Sequence, residues 1–121
     1  MLVTSGKRSR WVLPKGNIKR GIPAHRSAAL EAFEEAGVIG TISAVPLGTY
    51  RQVKTRDTGE EETVAVRAFP MLVTEETSTW PEMRIRQRRW MSIATAIESV
   101  TNHELRALLI AFAKEAPRLE G

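Results

Sequence analysis

Between Pro23 and Gly37 the chain carries an unbroken run of helix formers, and any fold it adopts must accommodate the helix they make. Ala24 to Ala36 is rich in alanine, leucine and glutamate, which favour helix interiors. Pro23 suits a first helical turn, where its missing N–H costs nothing. Gly37 follows as the left-handed stop. Within this run Glu31, Glu34 and Glu35 recur at spacings of three and four, so three carboxylates converge on one face over about one turn. Ala29, Phe33 and Ala36 project to the opposite side and supply the face to be buried. Carboxylates so close repel one another, and their pKa values rise unless positive charge sits among them. A divalent cation with hard oxygen ligands, such as Mg²⁺, would relieve that repulsion. A solvated acidic helix face is the other reading of the same three residues.

Around this helix the pattern is mostly strand. Leu2-Val3-Thr4 and Trp11-Val12-Leu13 read as short strands about a basic turn at Ser5 to Arg10, and Pro14-Lys15-Gly16 breaks the second. Val45 to Lys54 and Thr63 to Val73 alternate about the turn Arg56-Asp57-Thr58-Gly59, predicting a long antiparallel hairpin interrupted near Pro70. Arg88 to Met91 reads as a shorter strand, and Ser92 caps a brief helix through Ile97. Thr101 and Glu104 form a capping box ahead of Leu105, Leu108, Leu109 and Phe112, which recur at helical spacing. Strands, helix, hairpin, strand and helix in this order predict an α+β chain, an α/β/α sandwich with a mixed sheet.

At 121 residues this is the length of a single domain, taken as residues 1–121. No run of 18 apolar residues occurs, so no membrane partner is expected. The sequence has no cysteine, which excludes disulfides and thiolate chemistry and suits the cytoplasm. Its charge of +4 is uneven: no acidic residue precedes Glu31, while Lys7, Arg8, Arg10, Lys15, Lys19, Arg20 and Arg26 are basic, and Arg84, Arg86, Arg88 and Arg89 form a second cluster. Such fields attract phosphate-rich ligands. Low aromatic content gives little support to a stacking platform for nucleic acid.

Gly16 to Val38 resembles the box of the Nudix hydrolases, G-x5-E-x7-R-E-U-x-E-E-x-G-U. Gly16 occupies the first position, and Glu31, Ala32, Glu34, Glu35, Gly37 and Val38 fall in register with E-U-x-E-E-x-G-U. Trp11-Val12-Leu13-Pro14-Lys15-Gly16 and the later Trp80-Pro81-Glu82 with Arg86-Gln87-Arg88-Arg89-Trp90 are similar to the branch of diphosphoinositol polyphosphate and diadenosine polyphosphate phosphohydrolases. Two positions depart from the box: Ile22 stands where the family has glutamate and Leu30 where it has arginine. In the family that arginine holds the neighbouring carboxylates. The expectation here is that Ile22 and Leu30 pack together, replacing a polar pairing with an apolar one.

The resemblance implies a Nudix fold and hydrolysis of a phosphoanhydride with Mg²⁺ or Mn²⁺. It implies Glu31, Glu34 and Glu35 as catalytic residues and metal ligands, joined by the backbone carbonyl of Lys15 and by a carboxylate outside the box. Glu82 is the first candidate for that carboxylate, with Glu61 or Glu62 behind it. Lys15, Lys19, Arg86 and Arg88 are the expected phosphate ligands of a small phosphorylated substrate, and Gly16 and Gly37 the structural glycines. Alternate strand residues face one way, so Arg86 and Arg88 are expected on a common face. The alternative reading is a nucleotide- or polyphosphate-binding module with little turnover. Family members carry a further strand before the one that Leu2-Val3-Thr4 resembles. Either Met1 is a late start, or the sheet edge is capped another way, as by a second chain; an uncovered edge invites pairing between molecules, and a homodimer is expected.

Overall fold

The computed structural model describes residues 1–4, 10–15 and 20–120. In chain order the elements are β1 (Leu2–Thr4), β2 (Trp11–Val12), α1 (Ala24–Ala36), β3 (Val38–Ile42), β4 (Gly48–Thr55), β5 (Glu61–Ala68), β6 (Met71–Glu76), β7 (Arg88–Arg89), α2 (Ile93–Ser99) and α3 (His103–Glu120). Strand β1 lies between β2 and β7, β3 pairs with β6, and β4 with β5. Every one of these ladders is antiparallel, and the parallel neighbours that a mixed sheet would add do not occur among the described residues. The α+β class read from the sequence is the class observed.

Burial along β1 shows how the layers are stacked. Successive strand residues face opposite sides of a sheet, and here both sides are covered. Leu2 packs with Tyr50, Ala96, Val100, Leu105 and Leu109, the cluster built by β4, α2 and α3. Val3 points the other way, into a cluster with Val12, Ala36 and Val38 beneath α1. The short central strand thus separates two apolar layers, the arrangement of an α/β/α sandwich.

The local signals act as read, with two shifts. Pro23 is the N-cap residue rather than part of the first turn, and its carbonyl accepts the N–H groups of Arg26 and Ser27 at 3.0 Å each. At α3 the cap is Asn102 and not Thr101: Asn102 Oδ1 accepts the N–H groups of Glu104 and Leu105, and its Nδ2 donates to the carbonyl of Arg51 at 2.8 Å. Glu104 reaches back to Arg51 instead of closing a capping box. Helix and hairpin are thereby tied together. Ser92 caps α2 as expected, accepting from the N–H of Thr95.

Gly37 closes α1 in the left-handed region, φ 66°, with its N–H donating to Phe33 O at 2.9 Å. A Cβ there would stand 2.7 Å from Arg88 Nη1, 2.7 Å from Thr77 Oγ1 and 2.9 Å from the Trp80 side chain. Gly59 shares the left-handed backbone, φ 87°, but nothing lies within 4 Å of its would-be Cβ. Gly59→Ala should therefore cost only the left-handed penalty, about 1–2 kcal/mol. Gly37→Ala should cost at least about 1 kcal/mol more, from the added overlap. Urea unfolding of the two variants side by side measures the difference, and equal losses would contradict the packing described.

Candidate functional site

The last turn of α1 is fixed before any chemistry is considered. Arg88 Nη1 donates to Ala36 O at 2.8 Å, placing a cation where the helix dipole is negative. Its guanidinium lies 4.0 Å from the Trp80 ring centroid, and its Nε is 3.4 Å from Glu76 Oε1. Trp90 Nε1 donates to the other oxygen of Glu76 at 3.1 Å. Thr77 adds its N–H and hydroxyl to the carbonyl of Gly37, at 2.8 and 3.0 Å. These contacts set the direction in which Glu35 and Ala36 point.

Glu35 points inward. The residue is 2% exposed, and each carboxylate oxygen is held. Oε1 meets Arg86 Nη2 at 2.8 Å, and Oε2 accepts the backbone N–H of Lys15 at 2.5 Å. Arg86 extends the set: Nε donates to Glu82 Oε1 at 2.8 Å and Nη1 to the backbone carbonyl of Thr4 at 2.9 Å. Glu82 is in turn anchored to the helix, its N–H donating to Glu34 O at 3.0 Å. Burial raises the Glu35 pKa from 4.5 to about 7. Arg86 and the Lys15 N–H pull it down, Glu82 and Glu31 push it up, and burial outweighs the cations.

The sequence-predicted residues are therefore gathered only in part. Glu35, Glu82, Arg86 and the backbone of Lys15 meet, and the charge of Glu31 is felt at Glu35. Among the described residues the side chains, as placed, form no group of three His, Cys, Asp or Glu that could hold a metal ion. The reason is that Glu35 turns into the interior toward Arg86, while Glu31 and Glu34 stay half-buried. The donor chemistry nonetheless suits a hard divalent cation. The charges of Glu82 and Glu31 are both felt at Glu35, and hard carboxylate oxygens are the donors such an ion takes.

Lys15 contributes its N–H to Glu35, and Glu62 is engaged elsewhere, by Arg56 at 2.8 Å in the hairpin. Arg86 and Arg88 each reach the end of α1, Arg86 at Glu35 and Arg88 at the carbonyl of Ala36, although Arg86 lies ahead of β7 and not on it. Gly16 and Lys19 lie outside the described residues. Of the two residues expected to pack together, Leu30 is 42% exposed and Ile22 half-buried, and neither belongs to the two buried apolar clusters.

Thr77 and Glu76 were not singled out in the sequence, and Thr4 and Trp80 entered only as part of a strand and of the family resemblance. Thr4 acts through its main-chain carbonyl, which carries no residue signature. The roles of Trp80 and Glu76 become legible only once Arg88 is placed against them. Beside the site, Tyr50 Oη and Gln52 Oε1 are buried without hydrogen-bond partners among the described residues, and both residues line a cavity of about 10 Å³ together with Arg10, Trp11, Asn102 and Leu105. That is room for about one water. Burial, and secondarily the charge of Glu35, raises the Tyr50 pKa, so its hydroxyl stays protonated at neutral pH.

No family model matches the chain. Named relatives do. The chain is 36% identical over 101 residues to Nudix hydrolase 12, mitochondrial, of Arabidopsis thaliana, covering 81% of this chain and 50% of that protein. It is 34% identical over 113 residues to Nudix hydrolase 21, chloroplastic, of the same plant, covering 93% and 55%. To diphosphoinositol polyphosphate phosphohydrolase 3-alpha of Mus musculus it is 28% identical over 107 residues, covering 86% and 61%. The chain thus spans about half to three-fifths of the length of these relatives. No helix among the described residues is long and apolar enough to cross a membrane.

The raised pKa of Glu35 has a consequence for stability. Its folded site prefers the protonated form, so the group contributes stability below pH about 4.5, and that contribution is lost as pH rises through about 7. In a chelator-containing buffer, the melting temperature of the wild type should fall across this window relative to that of Glu35→Gln. Parallel melting curves over the same pH range would contradict the assignment.

Proposed function

Because the chain belongs to the Nudix hydrolase family, we propose that it is a metal-dependent hydrolase of a phosphoanhydride in a small soluble substrate. A nucleoside diphosphate linked to another moiety, or a dinucleoside polyphosphate, is the substrate class. The mouse relative's name adds diphosphoinositol polyphosphates to the same chemistry. The observation that supports the reading is Glu35: a buried carboxylate on the box helix, with Glu31 and Glu82 near enough to raise its pKa. Crowding negative charge in the interior opposes folding. A site that binds Mg²⁺ or Mn²⁺ gives that arrangement a use.

Glu31 and Glu35 would hold the ion, with Glu34 and Glu82 beside them. A bound divalent ion neutralises phosphate oxygens and lowers the pKa of water. The chain's own residues supply the rest. Glu34, half-buried on the same helix, would serve as a shared ligand or as the base for an attacking water. The basic segment before Glu31 draws the phosphates in. A cysteine-free chain suits a reducing compartment, and the cytoplasm is the one proposed, although two of the relatives are named for the mitochondrion and the chloroplast.

A second reading, a phosphate-binding module with little turnover, is favoured by one observation: both Glu35 oxygens are already engaged, by Arg86 and by Lys15 N–H. Incubation with Mg²⁺ or Mn²⁺ and a panel of dinucleoside polyphosphates, nucleoside triphosphates, nucleotide sugars and diphosphoinositol phosphates separates the two. Metal-dependent cleavage is expected, reduced roughly 100-fold or more in Glu35→Gln. Binding of metal and ligand without product would favour the module.

A further inference from the structure

We propose that Arg86 is the positioning residue of this site, holding the Glu35 carboxylate in place for the metal rather than gripping substrate phosphate. The inference rests on the metal-dependent reading above and concerns how its ligand is held. A guanidinium presents its N–H groups in a rigid planar fork. In Arg86 three of those groups are committed, to Glu35 Oε1, Glu82 Oε1 and Thr4 O, at 2.8, 2.8 and 2.9 Å. The partners come from three segments: the end of α1, the turn before β7, and β1. One of them is a main-chain carbonyl of the strand at the centre of its sheet. The side chain is only 17% exposed, so it presents little surface to an incoming phosphate.

Position 30, where the family places an arginine, holds the exposed Leu30 and offers no guanidinium. Arg88, two residues along, is occupied by Ala36 O, Glu76 and Trp80. Arg86 is the residue whose fork spans both the Glu35 and Glu82 carboxylates. A lysine there would keep the charge but not the three-way geometry. Arg86→Lys therefore tests position separately from charge.

Three measurements decide it. Isothermal titration with Mn²⁺ alone should show Arg86→Lys binding about 10- to 100-fold more weakly than wild type, the usual cost of losing a partner behind a metal ligand. In amide NMR spectra the Lys15 N–H, bonded to Glu35 Oε2, should shift in the variant. On a cleaved substrate kcat should fall while KM at saturating metal stays unchanged. Unaltered Mn²⁺ affinity and Lys15 amide together with a raised KM would overturn the proposal and make Arg86 a phosphate ligand. If the variant does not fold, the wild type still answers. Titration with inorganic pyrophosphate in the absence of metal should leave the Arg86 Nε–H resonance in place, and its shift would overturn the proposal. A wild type that binds Mn²⁺ but cleaves nothing overturns the hydrolase reading alone, since the affinity and amide comparisons still judge Arg86.

Discussion

A carboxylate removed from water must be given back, by the protein, what the water supplied. Glu35 is 2% exposed, and its two oxygens are met by Arg86 Nη2 and by the N–H of Lys15. Removing one partner of such a buried pair typically costs about 3–5 kcal/mol, because the other charge is left uncompensated. That cost constrains everything nearby. The segment after Trp11–Val12 must run close enough to α1 to offer Lys15 N–H. The turn before β7 must bring both Arg86 and Glu82 to the same helix. The end of β1 must leave a carbonyl, that of Thr4, facing the guanidinium.

Several of these segments are tied to one another independently of Glu35. Thr4 N–H donates to Gln87 O, and Gln87 N–H donates to Thr4 Oγ1, each at 3.0 Å, so β1 and the residues before β7 are clasped next to Arg86. Glu82 N–H donates to Glu34 O, which joins the same turn to α1. Arg88 then closes the C-terminus of α1 from the far side of Gln87. The two arginines divide the work: Arg88 fixes where the helix ends, and Arg86 fixes where its last acidic side chain points.

Local signals carried much of this into the sequence. The bounds of α1 are the ones its composition and Gly37 predict, and the break near Pro70 falls between β5 and β6. What local pattern could not show is pairing. Val38–Ile42 follows directly on the helix stop and is too short, with Gly40 inside it, to declare itself; its partnership with Met71–Glu76 makes it a strand. The cap of α3 moved from Thr101 to Asn102 because Asn102 also satisfies a carbonyl on β4, a long-range gain invisible to a four-residue motif. At the site, helical spacing placed the three glutamates on one face, but it could not show that the face turns inward at Glu35. That orientation depends on a guanidinium 51 residues further along.

The same distance explains how the chain accommodates Leu30. An arginine on α1 would steady a carboxylate relative to its own helix, and any shift of the helix would carry both groups together. Arg86 makes a different connection, because its Nη1 is bonded to the backbone of β1. The Glu35 carboxylate is thereby referenced to the sheet rather than to the helix that bears it. Position 30 is then free to lose its charge, and Leu30 does so at the surface, where no buried partner is stranded by the change. Both losses at Ile22 and Leu30 remove polar groups, yet the buried carboxylate keeps its cation, its backbone donor and its orientation.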